Sequence, residues 1–408
     1  LVVEREREIE SFDPENYWTL GLKLTVDAEE FTAKLYQIKG ADSTFKTRDR
    51  LDKLVELLSQ AQFWVGNSGR TVKSRHPLPP FTTAALQQAA SKGLGLSPEK
   101  TMALAQTLYE QGLITYMRTD GVSVAAEAQT ASRDYITREH GADYLPSEPP
   151  TYTVKTANAQ EAHEAIRPTD IHRLPQGAKG DGAALYDLIW KRFMASQMAP
   201  ALYSLTGAVI YAGKVQGQPF PMEFRAQGRS LLFDGFLKVY QEPADEGDGA
   251  ERDTTLPLLT ENQPLKLVTP QVEEHQTRAP ARYTEAGLVQ ALEQRGIGRP
   301  STYASMVKTV KDKAYVKLSQ KRLVPSENGL QLCDFLTTHF AGVLAYDYTA
   351  RLEEQLDGIA AGDTTRLDVL RGFWEGFQPQ VVKATEVALA KLKGHSAPKP
   401  LMLHTAQE

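Results

Sequence analysis

A single cysteine, Cys333, in 408 residues removes several classes of protein at once. No disulfide can close within the chain and no cysteine-rich zinc cluster can be assembled, so packing must hold the fold and a reducing compartment is expected. Also lacking is a run of about 18 apolar residues, the length that crosses a membrane as a helix. The opening LVVEREREIESF has neither the basic start nor the apolar middle of a secretion signal. The expectation is a cytoplasmic protein with no membrane partner. Residue 1 is Leu, not Met, and reads as the middle of a charged amphipathic helix, so a piece of a longer chain is expected.

With 41% hydrophobic residues the chain can bury more than one core, and its length suits two to three domains. The net charge of −5 argues against a polyanion partner until its distribution is read. Between Arg278 and Arg322 there are ten Lys or Arg against three acids, Glu285, Glu293 and Asp312. That surplus of seven leaves the remainder at −12. A basic stretch inside an acidic chain is the footprint of a localised polyanion site, although a solvated helical face produces the same count. The acid run EPADEGDGAERD at 242–253 lacks the pattern of a calcium loop and an Asp-x-Asp spacing, and reads as a solvated loop.

Residues 15–39 alternate polar and apolar with β-branched and aromatic side chains, which predicts strands, and the pattern returns at about 201–270. Between them, residues 84–200 keep apolar positions at i, i+3, i+4 and i+7, as helices do. From about 280 onward the pattern is helical again. These periods predict a multi-domain α+β chain in which a helical domain interrupts a β domain.

Two segments in the helical stretch carry chemistry. In GLITYMRTDG, extended backbone over 113–119 puts Tyr116 and Arg118, at i and i+2, on one face. A phenol is a weak nucleophile, but a neighbouring guanidinium favours the phenolate and neutralises a phosphate under attack, so the pair suits phosphoryl transfer. A tyrosine at a core edge with an arginine lying over it has the same spacing. In NAQEAHEAIRPTD, a short helix would set His163 and Arg167 on one face as two donors to one anion; a structural surface histidine fits equally. Further along, Thr284 is placed to cap a helix ending near Arg295. Gly296 and Gly298 form a tight connection, and Pro300 suits the first position of the next helix. That helix start would offer Arg299, Ser301, Thr302 and free backbone N–H groups to a phosphate. YVKLSQKRLVPSENG then alternates like a hairpin, giving a winged-helix pattern; Tyr303 could stack on an unpaired base or pack.

GLITYMRTD and NAQEAHEAIRPTD resemble the active-site signatures of bacterial type IA DNA topoisomerase I. RGIGRPSTYASMVKTVKDKAYV is similar to that family's single-stranded DNA-binding segment, and FTTAALQQAASKGLG at 81–95 matches its pattern upstream of the tyrosine. The resemblance covers residues 1 to about 390. It implies that Tyr116 attacks a backbone phosphate to give a 5'-phosphotyrosine and a free 3'-hydroxyl. Arg118 would hold that phosphate and His163 would bond one of its oxygens. Resealing would need no ATP, and the chain has no GxxxxGK[ST] loop. One departure is Gly121-Val122, where the family places a hydroxyl residue after the aspartate.

The resemblance further implies a toroidal arrangement and relaxation of negatively supercoiled duplex DNA through a transient single-strand break, by a monomer. It implies a helical DNA-binding domain from 1–12 and 276–395, a β-rich arch from 13–75 and 204–275, a helical domain with the tyrosine at 76–203, and a tail at 396–408. The Mg2+ of the family's reaction sits on an acidic cluster in an N-terminal domain whose pattern is not found here. This chain alone is therefore expected to hold no metal and to fall short of the full cycle without that domain as partner. Two other readings stay open: a non-catalytic single-stranded DNA clamp, and a recombinase-like enzyme forming a 3'-phosphotyrosine.

Overall fold

The computed structural model describes all residues except 42, 154–163, 176–178, 244–252 and 395–408. It divides into two compact units, one drawn from residues 4–282 and the other from residues 283 onward together with residues 1–3. Helices and one large antiparallel sheet make the chain α+β, as the two periodicities required.

The first unit begins at Glu4, within α1 (Val2–Glu10). The Glu6 carboxylate accepts hydrogen bonds from Arg282 Nε at 2.7 Å and Nη2 at 2.6 Å, and Arg5 donates to the Ala281 carbonyl at 2.7 Å, so the two ends of the unit are tied together. β1 (Asn16–Val26) and β2 (Glu29–Ile38) follow where alternation foretold them. α2 (Arg48–Ser59) then buries Leu51 and Leu58, and β3 (Gln62–Arg75) leads to four helices. These are α3 (Thr83–Leu94), α4 (Pro98–Glu110), α5 (Ala126–His140) and α6 (Asp181–Ser196). β4 (Ala201–Val215), β5 (Gln218–Pro219), β6 (Met222–Phe233) and β7 (Pro264–Gln276) complete the sheet.

The strand order is β3-β7-β1-β2-β6-β4-β5, with a further β3–β4 pairing that closes the ladder on itself. Leu20, Leu22, Leu24, Phe31, Leu35, Ile210 and Phe224 fill its interior with α2 against them. At Gly66 the β3–β4 register shifts, and a Cβ there would lie 2.2 Å from the Tyr211 ring, so only glycine lets that ring cover the bulge. A second core, with Leu86, Ile114, Met117, Ile166, Ile189 and Phe193, belongs to the helical stretch. Its helices start as their sequences dictate: the Thr82 and Ser97 side chains accept from Ala85 N and Lys100 N, and Pro98 takes the first position of α4.

The second unit begins with α7 (Glu285–Gln294), capped by Thr284 as expected, and α8 (Tyr303–Asp312). A hairpin of β8 (Val316–Ser319) and β9 (Arg322–Pro325) follows, turning through Gln320 and Lys321, both with positive φ. This is the winged-helix pattern. α9 (Glu327–His339) docks at Gly329, where a Cβ would meet the Tyr315 carbonyl oxygen at 2.1 Å. α10 (Ala341–Leu344), α11 (Tyr346–Ala361) and α12 (Arg366–Gly394) end the described chain. No described helix is long and apolar enough to cross a membrane.

Candidate active site

Residues 113–119 leave α4 through Gly112 at φ +67 and run irregularly, with bends at 113, 115, 117 and 118 where extended backbone was expected. Burial alternates along them. Met117 and Thr119 are each 1% exposed, while Tyr116 is 41% exposed and Arg118 is exposed beside it. The two side chains therefore leave the side opposite the buried Met117 and Thr119. Among the described residues Arg118 has no hydrogen-bond or ion-pair partner, which leaves its guanidinium available to an anion. The Tyr109 ring, at the end of α4, meets the Tyr116 ring edge-on at 5.3 Å and 68°.

The segment is held from two sides. On one, Thr115 N donates to the Arg167 carbonyl at 2.9 Å, and Thr115 Oγ1 donates to the Ala165 carbonyl at 2.7 Å and accepts from Arg167 N at 3.0 Å. Thr169 N donates to the Leu113 carbonyl at 3.0 Å. On the other side, Thr83 in the first turn of α3 bonds residues 117 and 119. Ile166 N donates to the Phe81 carbonyl at 2.8 Å, so the stretch before α3, the tyrosine segment and residues 164–169 form one hydrogen-bonded layer. The two motifs that sequence reading singled out thus lie against each other.

Their local form differs from expectation. Residues 164–170 are extended, not helical, because Pro168 disfavours helix at Arg167 and the backbone groups are taken by Phe81 and Thr115 instead. The helix expected to carry Arg167 is thus not formed over residues 164–167, and His163, its expected companion, lies outside the described residues. Arg167 is 13% exposed and engaged by Glu164 at 2.7 and 2.9 Å and by the Pro168 carbonyl at 3.1 Å, so an anion must compete with Glu164 for it. At the departure noted above, Gly121 N donates to Thr119 Oγ1 at 2.9 Å, a local turn that needs no side chain at position 121.

Behind the layer stands Arg192 of α6, whose Nε donates to the Pro79 carbonyl at 2.7 Å and whose guanidinium pairs with Glu242. It lies 4.8 Å from the Phe81 ring centre and 5.4 Å from that of Tyr240. Burial pushes the Tyr152 and Tyr240 hydroxyls up to about 12. Sequence reading missed Tyr109, Thr115 and Arg192, and passed over Thr83 although it lies in the quoted FTTAALQQ.

The second unit carries the expected anion-binding turn in altered form. α8 begins at Tyr303, not Pro300; residues 299–302 make a turn in which Thr302 N donates to the Arg299 carbonyl at 2.8 Å and Thr302 Oγ1 accepts from Arg299 N at 2.8 Å. The Thr302 hydroxyl is thus used locally, whereas Ser301 is exposed. The Arg299 guanidinium pairs with Glu353 and lies 3.6 Å from Asp357, both on α11. Burial holds the Glu353 carboxyl above the usual carboxylate range, against the pull of Arg299. Tyr303 is 7% exposed, so its ring packs. Lys313, Lys317 and Lys321 are exposed around the hairpin. Among the described residues no group of three or more His, Cys, Asp or Glu could hold a metal ion, and residues 244–252 of the acid run at 242–253 lie outside them.

A family model described as DNA topoisomerase matches residues 1–371. The chain is 44% identical over 399 residues to DNA topoisomerase 1 of Zymomonas mobilis, covering 95% of this chain and 32% of that protein. With DNA topoisomerase 1 of Vibrio cholerae it shares 43% over 392 residues, covering 95% and 43%. Full-length topoisomerase I from Thermotoga maritima superposes with a TM-score of 0.76 at 34% identity, over 93% of this chain and 61% of that one. The chain spans between a third and a half of the curated relatives' length.

Proposed function

Since this chain belongs to the bacterial type IA DNA topoisomerase family, we propose that it carries the strand-cutting half of an ATP-independent enzyme that relaxes negatively supercoiled DNA. The observation that carries this reading is the exposed pair Tyr116 and Arg118 on one face of a segment clamped from both sides. Tyr116 Oη forms a bond to a backbone phosphorus while the bond from phosphorus to the 3'-oxygen breaks. The phenolic proton is lost, and the 3'-oxygen gains one and leaves as a hydroxyl. Arg118 neutralises the phosphate as charge develops on it. His163 donates to a phosphate oxygen, as the resemblance implies. Because the phosphotyrosine retains the energy of the broken ester, the 3'-hydroxyl reverses the step after a strand has passed.

Single-stranded DNA is bound through Arg167, Arg299, Ser301 and Thr302, with the exposed lysines of the hairpin supplying the sequence-independent attraction. Mg2+, held on this reading by an acidic N-terminal domain outside these residues, would help realign the ends for resealing. Among the described residues no cluster offers it a site.

The test uses an end-labelled single-stranded oligonucleotide, the chain and its Tyr116→Phe variant, each with and without that metal-binding domain. The expected result is an SDS-resistant adduct on the 5' end that the variant does not form and the added domain enhances. DNA binding with no adduct in any mixture would leave only a clamp; an adduct on the 3' end would point to recombinase-like chemistry.

A further inference from the structure

We propose that Thr83 is a positioning residue for the cutting step, holding Arg118 in register with Tyr116 through one hydroxyl. The proposal rests on the reading of Tyr116 as the nucleophile. Thr83 is 0% exposed and is the first residue of α3. Its Oγ1 donates to the Met117 carbonyl at 2.7 Å, lies 3.0 Å from the Thr119 carbonyl, and accepts from Thr119 N at 2.9 Å. Its own N–H, one of the donors that a helix start leaves unpaired, goes to the Thr119 carbonyl at 2.9 Å. The residues bonded on either side of Arg118 are thus fixed by one buried side chain.

The segment needs such a clamp. Residues 116–119 belong to no strand ladder, so neighbouring strands do not fix their register. Among the described residues the Met117 carbonyl has no other hydrogen-bond partner, and Thr119 N has none but this hydroxyl. Thr115 fixes the chain before Tyr116 against residues 165–167, and Thr83 is the side chain that bonds the backbone on both sides of Arg118. A hydroxyl can donate and accept at one atom, which valine, equal in shape, cannot do, and serine can. With Thr83→Val the core stays filled, yet Met117 O and Thr119 N lose their anchor, and on the α3 side the backbone carrying Arg118 is held only by the bond from the residue-83 N–H to the Thr119 carbonyl. A phosphate held about 1 Å out of line reacts roughly 100-fold more slowly, while binding that depends on charge is little changed.

The experiment measures, for the chain with the metal-binding domain supplied, the rate of SDS-resistant adduct formation and, separately, affinity for the same oligonucleotide. Wild type and Tyr116→Phe come first: no adduct from wild type, or an adduct from both, removes the proposed function itself. Where the adduct depends on Tyr116, Thr83→Val is expected to form it about 10- to 100-fold more slowly with affinity within about twofold, and Thr83→Ser to restore the rate to within about threefold. Leu51→Ala, a deletion in the sheet core, controls for lost stability. Wild-type rates in Thr83→Val, equal slowing in Thr83→Ser, or equal slowing in Leu51→Ala would each overturn the inference.

Discussion

Replacing Arg192 by methionine tests how far the site depends on what stands behind it. The side chain is 5% exposed, and methionine fills similar space, so the change removes charge and hydrogen bonds more than volume. The bond to the Pro79 carbonyl is charge-assisted and contributes about 1.5–3 kcal/mol. Glu242 is 36% exposed and can return to water, which limits the loss from the ion pair to about 1 kcal/mol. The two ring contacts add about 0.5–2 kcal/mol. A destabilisation of about 3–6 kcal/mol follows, or a fall in Tm on the order of 10 °C for a unit of this size. The loss should also be local. Phe81 lies under the guanidinium and accepts from Ile166 N, so hydrogen exchange at the Ile166 amide should speed up more than at amides of the sheet core. A destabilisation below about 1 kcal/mol, or unchanged protection at Ile166, would refute the view that Arg192 supports the layer.

Two further outcomes follow from carboxylates. The Arg282 hydrogen bond holds the Glu6 carboxyl below its usual range, so its contribution of about 1–3 kcal/mol is present above the ordinary carboxylate value and lost as pH falls through the lowered one. Glu6→Gln should flatten that part of the acid-unfolding curve, measured by thermal melts across pH. Glu353→Gln should free Arg299, raise single-stranded DNA affinity several-fold and steepen its salt dependence by about one counterion in a fluorescence-anisotropy titration. Since burial holds Glu353 above the usual range, lowering the pH should neutralise it ahead of ordinary carboxylates and bring wild type toward the variant; an unchanged salt slope would leave Arg299 a fold-holding residue only.

Much of this was legible in the sequence where a short-range period decides the outcome. The alternation over 15–39 became β1 and β2, and Tyr116 and Arg118 are both exposed as expected, although the backbone between them bends. Caps read locally, as at Thr284. Reading failed where tertiary partners overrode local preference. Residues 164–170 look helical until Phe81 and Thr115 supply backbone partners that lie far away in the chain. The start of α8 slid from Pro300 to Tyr303 because Thr302 folds its hydroxyl back onto Arg299 N. Thr83 gave no local sign of its role, since what it bonds is more than 30 residues downstream.

The strand pairing has a mechanical consequence. β3 ends at Arg75 and β4 begins at Ala201, and these two residues are direct antiparallel partners. Residues 76 to 200, the tyrosine segment included, are therefore joined to the sheet by two chain ends that leave it side by side, besides side-chain contacts such as that of Arg192 with Glu242. A pull on that part of the molecule, such as a tethered nucleic-acid strand would exert, draws β3 and β4 in the same direction and does not slide one past the other. The ladder between them is unloaded. The force passes to the β4–β6 pairs, from Leu202↔Phe233 to Ile210↔Phe224, and to the short β3–β7 contact. There it acts along the strands, so the bonds of a ladder are stretched together and not opened one at a time, and the sheet acts as an anchor plate for whatever the suspended part is made to carry.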